Sequence, residues 1–258
     1  MSKLVSLAEI CDLIRRHPKV AVAGASTKPR LARVSDDTKI LAMTTYAGIM
    51  EYQPAEYTIT VKAGTTVAAV VATLAEKGQY LPFDPLWVRS GATVGGTVAA
   101  NAGGPGRVRY GGVRDFIIGA TLIDGRGQVL RTGGRVVKNA AGFDVPKFIV
   151  GSMGRWGVIT EVTFKVFPRP LQSLTRVWDC TSHAEAVERI AQAARSRWEP
   201  TAIEYDATRQ RVSIRLSGPE SALVQLAAEV GGEPGMSNEE WSTYGEFDWA
   251  LKNRCLIR

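Results

Sequence analysis

Apolar and polar positions at the start of the chain predict a helix followed by a strand. Residues 6–9, Ser-Leu-Ala-Glu, form a capping box, and apolar residues follow at helical spacing. A short amphipathic helix is therefore expected to end near His17. Residues 19–23 are mostly apolar and predict a buried strand.

The next patterned region predicts a strand and then a helix. Residues 57–62 alternate with β-branched side chains, which is typical of a strand. Apolar residues from Val67 to Leu74 follow helical spacing, with Thr65 or Thr66 as the cap and Gly78 as the end.

Three further patterns complete the first two-thirds of the chain. Residues 116–123 and 128–132 flank the turn sequence Asp-Gly-Arg-Gly and predict a hairpin. Residues 158–167 alternate apolar and polar side chains, which predicts a half-exposed strand. Residues 90–104 are almost free of bulky side chains and predict a small-residue helix between two glycine turns.

Pro168 and Pro170 predict a domain boundary that divides the chain into residues 1–168 and 169–258. The second part is expected to contain a strand at 171–179, a helix capped by the Ser-His-Ala-Glu sequence at 182–185, strands at 202–205 and 212–216, and a helix at 219–230. This βαββα order, together with the mixture before it, predicts the α+β class.

The sequence from Gly231 onward is weakly patterned. It contains Trp241, Phe247 and Trp249, three large aromatic residues with few apolar neighbours in sequence. We expect these aromatics to need a partner surface.

The composition is that of an ordinary globular protein. The chain has 258 residues, of which 45% are apolar and 22% charged, and its net charge is +7. No run of about 18 apolar residues is present, and the first residues lack the apolar core of a signal peptide. A cytoplasmic protein without a transmembrane segment is therefore expected.

The distribution of reactive residues argues against several chemistries. Cys11, Cys180 and Cys255 lie far apart, which predicts reduced thiols rather than disulfides or a metal site. His17 and His183 are too few and too scattered for a zinc site or a Ser-His triad. Basic residues are spread along the chain without a nucleic-acid-binding motif, so no nucleic-acid partner is expected.

Glycine distribution points instead to an anionic ligand. Most of the 26 glycines lie between Gly91 and Gly157, where the backbone is expected either to turn or to approach a ligand closely. The small-residue helix there could present N–H groups to a pyrophosphate. The loop from Gly24 to Arg30 combines small residues with Lys28 and Arg30, which is a weaker signal of the same kind.

The run from Ser90 to Pro170 resembles the flavin-binding domain of the vanillyl-alcohol-oxidase and p-cresol-methylhydroxylase superfamily, called VAO and PCMH. Four segments carry the resemblance: residues 91–104, 110–115, 137–144 and 151–161. Within that superfamily, residues 138–144 and 167–170 look most like the FAD-binding subunit of bacterial glycolate oxidase. The resemblance covers the N-terminal two-thirds well and the remainder weakly.

The resemblance implies a two-subdomain PCMH/VAO-type FAD-binding domain followed by a partial α+β cap domain. FAD would lie extended between the subdomains without a covalent bond, because neither His17 nor Cys11 stands in an attachment motif. The first phosphate loop would be residues 22–28. The residues implied to bind FAD are Gly24, Ala25 and Ser26 in that loop; Gly91, Ala92, Thr93, Gly95 and Gly96 at the pyrophosphate; Asn101, Gly103 and Gly104 near the flavin ring; and Gly157, Val158 and Ile159 at the adenosine end.

The chain departs from the family pattern at three places. Ala25 and Ser26 stand in the first phosphate loop, where the family has a proline and consecutive glycines. Phe143 stands where a tyrosine is usual. Relatives continue beyond the point at which this chain ends, and their catalytic histidine lies in that part. No catalytic residue is assigned here, and no metal ligand is expected.

In function, the resemblance implies one component of an FAD-dependent 2-hydroxy-acid oxidase or dehydrogenase complex. A small 2-hydroxy acid such as glycolate would be oxidised, and electrons would pass to an iron–sulfur subunit. A second flavin subunit would belong to the same complex, which could attach peripherally to the inner membrane through partners.

Two alternatives remain at this point. The first is a non-catalytic scaffold subunit with the same fold and weak or no FAD binding, which the altered loop favours. The second is a reductase of cell-wall precursors, which is less favoured because its serine and glutamate motifs have no counterpart in the sequence.

Overall fold

The computed structural model of the protein describes residues 6–28, 34–134, 143–235 and 238–247. The chain divides into two compact units. The first comprises Met1–Leu81, Pro85–Ala102 and Gly112–Pro168, and the second comprises Pro82–Asp84, Gly103–Gly111 and Arg169–Arg258. The units are discontinuous in sequence, whereas the predicted domains are continuous stretches.

Helices and strands alternate irregularly along both units, which confirms the α+β class. In chain order the strands are β1 (Val20–Ala23), β2 (Lys39–Ala42), β3 (Ile49–Gln53), β4 (Thr58–Lys62), β5 (Gln79–Tyr80), β6 (Ile117–Ile123), β7 (Val129–Gly133), β8 (Val158–Lys165), β9 (Phe167–Pro168), β10 (Gln172–Asp179), β11 (Ala202–Asp206), β12 (Arg211–Gly218) and β13 (Glu233–Pro234). The α-helices are α1 (Leu7–Arg16), α2 (Val67–Ala75), α3 (Val94–Ala100), α4 (Arg107–Tyr110), α5 (Val113–Phe116), α6 (Val145–Phe148), α7 (His183–Arg195), α8 (Glu220–Val230) and α9 (Asn238–Tyr244).

The first unit is built on a five-stranded sheet with the order β3-β4-β8-β6-β7. All of its neighbouring strands are antiparallel. The β6–β7 pair confirms the predicted hairpin. Strand β8 is central and mostly buried, so the prediction of a half-exposed strand is wrong. The alternation in its own sequence does not predict which strands flank it or that both of its faces are covered.

Strands β1 and β2 form a separate parallel pair in the first unit. The predicted strand at residues 19–23 is present as β1, but Val22 is 40% exposed, so the strand is not buried as predicted. The sequence correctly predicts both helix caps in this unit. Ser6 and Glu9 form the reciprocal capping box of α1, and the Thr66 hydroxyl accepts a hydrogen bond from the Ala69 N–H in α2.

The second unit contains the predicted βαββα order as β10, α7, β11, β12 and α8, with the sheet order β11-β12-β10-β13. The Ser182 hydroxyl caps α7, as predicted. The Glu185 carboxylate, however, accepts from the Thr181 N–H rather than from Ser182. Apolar residues of α7, α8 and β12 pack into one core in this unit.

Trp241 lies in that second unit and needs no partner surface, contrary to the prediction. It is 3% exposed and packs against Ala202 and Tyr244. Its indole N–H donates to the Thr175 hydroxyl at 2.8 Å, and the Arg215 guanidinium lies over the ring. Trp241 and Tyr244 both lie on α9. The weak apolar pattern of the tail did not predict this helix. Trp249 lies outside the described residues.

Cys11 and Cys180 are free and buried, in line with the prediction of reduced thiols, and Cys255 lies outside the described residues. Among the helices that the structure describes, none is both long and apolar enough to span a bilayer.

Candidate functional site

A cavity of about 450 Å³ lies within the first unit. Four parts of that unit line it: β1 with the loop after it, residues 34–43, the segment around α3, and the turn before β8. Most of the lining side chains are small or apolar. A volume of this size is typical of a pocket for a small molecule or part of a cofactor.

The loop from Gly24 to Lys28 approaches the N-terminus of α3 closely. A Cβ on Gly24 would lie 2.2 Å from the Thr93 hydroxyl oxygen, so any side chain at this position would force Thr93, the cap of α3, to shift. Two residues later Ser26 adopts φ +55°, a left-handed conformation that glycine adopts more easily. The loop therefore has a glycine-type backbone although a serine occupies this position.

Helix α3 is short and packs tightly against the chain that follows β4. The Thr93 hydroxyl caps it by accepting from the Gly96 N–H at 3.3 Å. A Cβ on Gly95 would lie 2.8 Å from the Ala63 Cβ, and the Gly95 N–H donates to the Ala63 carbonyl at 2.8 Å. The absence of side chains here lets the helix backbone form part of the cavity wall.

The turn before β8 is anchored to the C-terminal end of α3. The Gly151 and Met153 N–H groups donate to the carbonyls of Val98 and Ala99. Met153 and Gly154 both have positive φ and line the cavity. Gly157 has φ +150°, and a Cβ there would lie 2.7 Å from the Ile123 carbonyl oxygen, so this position also requires glycine.

Lys28 is the charged residue of the cavity lining as far as the structure describes it. Its side chain is half-buried, and burial lowers the pKa of the ammonium group. The Nζ atom donates to the Thr27 hydroxyl at 3.0 Å and lies 4.8 Å from the centre of the Trp87 ring. Within the described residues no carboxylate pairs with it, so the positive charge of the cavity is not neutralised by them.

Eight of the fourteen predicted FAD-binding residues line this one cavity. They are Gly24, Ala25, Ser26, Thr93, Gly95, Gly96, Gly157 and Ile159. The structure therefore brings together three segments, of which the first and the last are more than a hundred positions apart in the sequence. Their assignment as cofactor-binding residues stays a prediction.

The other predicted residues lie elsewhere. Gly91 and Ala92 form the turn before α3, and Val158 lies between two lining residues, so its side chain points to the opposite face of the strand. Asn101 caps the C-terminus of α3 in a left-handed conformation. Gly103 and Gly104 belong to the second unit.

Several backbone donors that were expected to meet a pyrophosphate already have partners within the protein. The N–H groups of Gly91 and Ala92 donate to the carbonyls of Val88 and Trp87. At the start of α3, the Val94 and Gly95 N–H groups donate to the preceding segment, and that of Gly96 donates to the cap. In this structure these residues provide a smooth wall rather than free hydrogen-bond donors.

Sequence reasoning missed other lining residues. Met153 and Gly154 fall in a glycine-containing segment that the family resemblance includes, so a signal for them was present. Ala99 belongs to the small-residue helix and could also have been identified. Ile40 and Met43 are ordinary apolar residues near β2 and carry no signal in the sequence.

The sequence analysis assigns no catalytic residue and predicts no metal ligand. Among the described residues, no cluster of histidine, cysteine and carboxylate side chains could hold a metal ion. The predicted motif at residues 138–142 and the residues Pro29–Arg33 lie outside the described part.

Comparison with known proteins relates this geometry to a family. A profile described as "FAD binding domain" matches residues 4–133, which is about half of the chain. Glycolate oxidase subunit GlcE of Escherichia coli K12 is 35% identical over 232 residues, covering 88% of this chain and 64% of that protein. Glycolate oxidase subunit GlcD of Bacillus subtilis 168 is 29% identical, covering 61% of this chain and 33% of that protein.

The solved structures agree on the fold. An alkyldihydroxyacetonephosphate synthase superposes with a TM-score of 0.75, covering 96% of this chain and 54% of that one, at 17% sequence identity. At that identity the likeness shows a shared fold alone. The chain spans less than two-thirds of the length of each of these relatives.

The residues of the cavity fit an FAD phosphate group. Gly24 provides a close approach that a Cβ would block, and the Thr93 hydroxyl hydrogen has no acceptor among the described residues. Lys28 supplies a positive charge without a carboxylate partner in the described chain. Small and apolar residues form the rest of the wall, which suits a nucleoside portion.

Proposed function

The chain belongs to the FAD-binding domain family and has FAD as its cofactor, and on that basis we propose that it is the flavin-carrying component of a 2-hydroxy-acid oxidising complex. The observation that carries this proposal is the cavity in the first unit, where the Gly24 loop, α3 and the turn before β8 surround a single described cation, Lys28. Relatives named as glycolate oxidase subunits and as D-lactate dehydrogenase support the class of reaction.

Within the proposal, the cavity holds the phosphate-containing part of FAD without a covalent bond. The described lining includes neither a histidine nor a cysteine, the residue types that attach flavins in this family. Lys28 and Thr93 would contact phosphate oxygens, while Val22 and Met153 would exclude water from the nucleoside. The chemistry supplied by bound FAD is the two-electron oxidation of a substrate carbon.

The proposed substrate is a small 2-hydroxy acid, of which glycolate is the first to test. The electrons would then leave to an iron–sulfur subunit, and a second flavin subunit would belong to the same complex. The names of two relatives as glycolate oxidase subunits support assembly with other chains.

A second candidate function is a non-catalytic scaffold that holds FAD weakly or not at all. One observation favours it: Ser26 has φ +55° in the first phosphate loop, so a residue with a side chain occupies a glycine-type position there. Substrate oxidation would then occur on another subunit of the complex.

The visible spectrum of the purified chain tests the proposal, recorded before and after heating and again after FAD is added. We expect a flavin band that heating releases into solution, because the cavity offers no attachment residue. A folded chain that shows no flavin band even with added FAD would contradict the proposal and favour the scaffold.

Anaerobic addition of glycolate then separates the two candidates. If the chain oxidises the acid itself, the flavin band bleaches within the isolated protein. If the band persists with the isolated chain but bleaches in the assembled complex, oxidation occurs on a partner.

A further inference from the structure

The cavity contains a cation whose charge the described protein does not neutralise. Lys28 lies in the loop after β1, and its half-buried side chain lines the cavity. No carboxylate pairs with it within the described residues, whereas several other basic residues of the chain do form ion pairs, among them Lys19 with Asp37 and Lys147 with Asp144. Lys19 is exposed, whereas Lys28 is half-buried and loses more hydration.

Among the described residues, the groups that contact the ammonium are neutral. The Thr27 hydroxyl accepts from Nζ at 3.0 Å, and the Trp87 ring lies 4.8 Å away. Such contacts orient a cation but compensate only part of the cost of burying it. In agreement, burial lowers the pKa of Lys28. An anionic group entering the cavity would restore the lost stabilisation of the charged form.

The first N–H groups of the neighbouring helix have acceptors within the protein. Helix α3 has seven residues, and its first N–H groups donate to the Thr65 and Ala63 carbonyls and to the Thr93 hydroxyl. Those donors are therefore engaged before any ligand arrives. A diphosphate in this cavity would gain little from these donors, and Lys28 is the charged side chain in the described lining that could balance its charge.

We propose that Lys28 binds the diphosphate of FAD as an ion pair, with the backbone of the preceding loop beside it. This inference rests on the proposed function, because it concerns the same cavity and the same cofactor. It assigns a measurable part of the FAD affinity of this chain to one charged side chain.

The test is FAD affinity, measured by the quenching of flavin fluorescence on the full chain. Lys28→Met keeps the aliphatic stem but removes the charge, and we expect its Kd for FAD to rise about tenfold or more. Lys28→Arg should stay close to the wild type. Lys77→Met is the matched control, because Lys77 is exposed in the same unit and does not line the cavity, and it should bind FAD like the wild type.

Two further readouts identify the diphosphate as the contacted group. The increase of Kd with salt should be smaller in Lys28→Met than in the wild type, since one ion pair is lost. Riboflavin, which lacks phosphate, should bind the two proteins equally. Lys28→Gln serves as a second variant if thermal melting shows that Lys28→Met does not fold.

The outcomes separate this inference from the function on which it rests. Equal FAD affinity and equal salt dependence in the wild type and in folded Lys28→Met would overturn the role of Lys28 while leaving the FAD-binding function intact. A wild-type chain that binds no FAD would overturn both.

Discussion

At the scale of single residues, backbone conformation matters most in the loop between β1 and the cavity. Ser26 has φ +55°, and a left-handed conformation costs a residue with a Cβ about 1 kcal/mol more than it costs glycine. The sequence substitutes Ala25 and Ser26 for the glycines of the family, yet the loop at Ser26 still has the glycine-type backbone. A serine at this position therefore costs stability.

Ser26→Gly should relieve this strain. We expect the free energy of unfolding to rise by about 0.5–1 kcal/mol, because the gain at positive φ exceeds the entropy that glycine adds to the unfolded chain. Chemical denaturation measures the change. Ser26→Ala is the control, since it removes the same hydroxyl but keeps the Cβ, and it should not be stabilised. A glycine variant less stable than the wild type would contradict the interpretation.

Gly24 is constrained by contact rather than by its dihedral angle. Gly24→Ala would place a methyl group 2.2 Å from the Thr93 hydroxyl oxygen, and we expect a loss of about 1–3 kcal/mol in unfolding free energy. In a Thr93→Ala background the obstructing oxygen is gone, so the same substitution should cost clearly less. Additive effects in this double-mutant cycle would show that the contact is not the cause.

At the scale of secondary-structure elements, a carboxyl group in the second unit links its strands to earlier chain segments. Glu204 lies on β11, and Arg107 of α4, Asp84, Arg215 of β12 and Tyr244 of α9 all interact with it electrostatically. Burial, the largest cause, raises the pKa of Glu204 from 4.5 to about 7 despite the two arginines. The folded protein therefore holds a proton on this group more tightly than the unfolded chain does.

That difference makes stability depend on pH in a defined direction. The stabilisation from protonated Glu204 is fully present below pH 4.5 and is lost as the pH rises through about 7. Glu204→Gln should therefore be more stable than the wild type at pH 8, by up to about 3 kcal/mol, and similar to it at pH 4.5. Thermal melting at the two pH values measures this. An equal difference in stability between the variant and the wild type at both pH values would contradict the titration of Glu204.

Trp241 contributes to the fold of the second unit through α9. Replacing it with serine would remove a fully packed ring and a hydrogen bond to Thr175, so we expect a loss of about 3 kcal/mol or more in unfolding free energy. Trp241→Phe keeps an aromatic ring and should cost less. A serine variant as stable as the wild type would show that this residue is not part of the core.

Some features of the fold are determined by residues close together in the sequence, and others depend on distant ones. The hairpin β6–β7, the caps of α1 and α2 and the βαββα order follow from turn residues, caps and alternation, and the sequence predicts them. The burial of β8 depends on its pairing with β4 and β6, which lie up to a hundred positions away. Trp241 is buried by Thr175 and Ala202, which also lie far from it in sequence, so its burial could not be predicted.

The candidate site divides in the same way. Gly24, Thr93 and Gly96 could be found because small residues cluster where the backbone must approach a ligand. Met43 could not be found, since an apolar side chain near a strand end has no distinguishing feature. The engagement of the α3 N–H groups was also hidden, because it depends on how the Ala63 region packs against the helix.

At the scale of the whole molecule, the cavity is confined to one unit. The second unit includes Pro82–Asp84 and Gly103–Gly111 from the middle of the first sequence region, so the two units are linked by several chain crossings. The net charge of +7 is consistent with an anionic cofactor, although the described cavity uses only Lys28. FAD affinity should therefore depend on local contacts more than on overall charge.

Amide hydrogen exchange of the full chain, with and without saturating FAD, tests the central claim most directly. The account predicts slower exchange in the loop at residues 24–28, in α3 and in the turn at residues 151–157, with little change in β10 and β12 of the second unit. Protection confined to the second unit, or no protection although FAD is bound, would contradict the assignment of this cavity as the cofactor site.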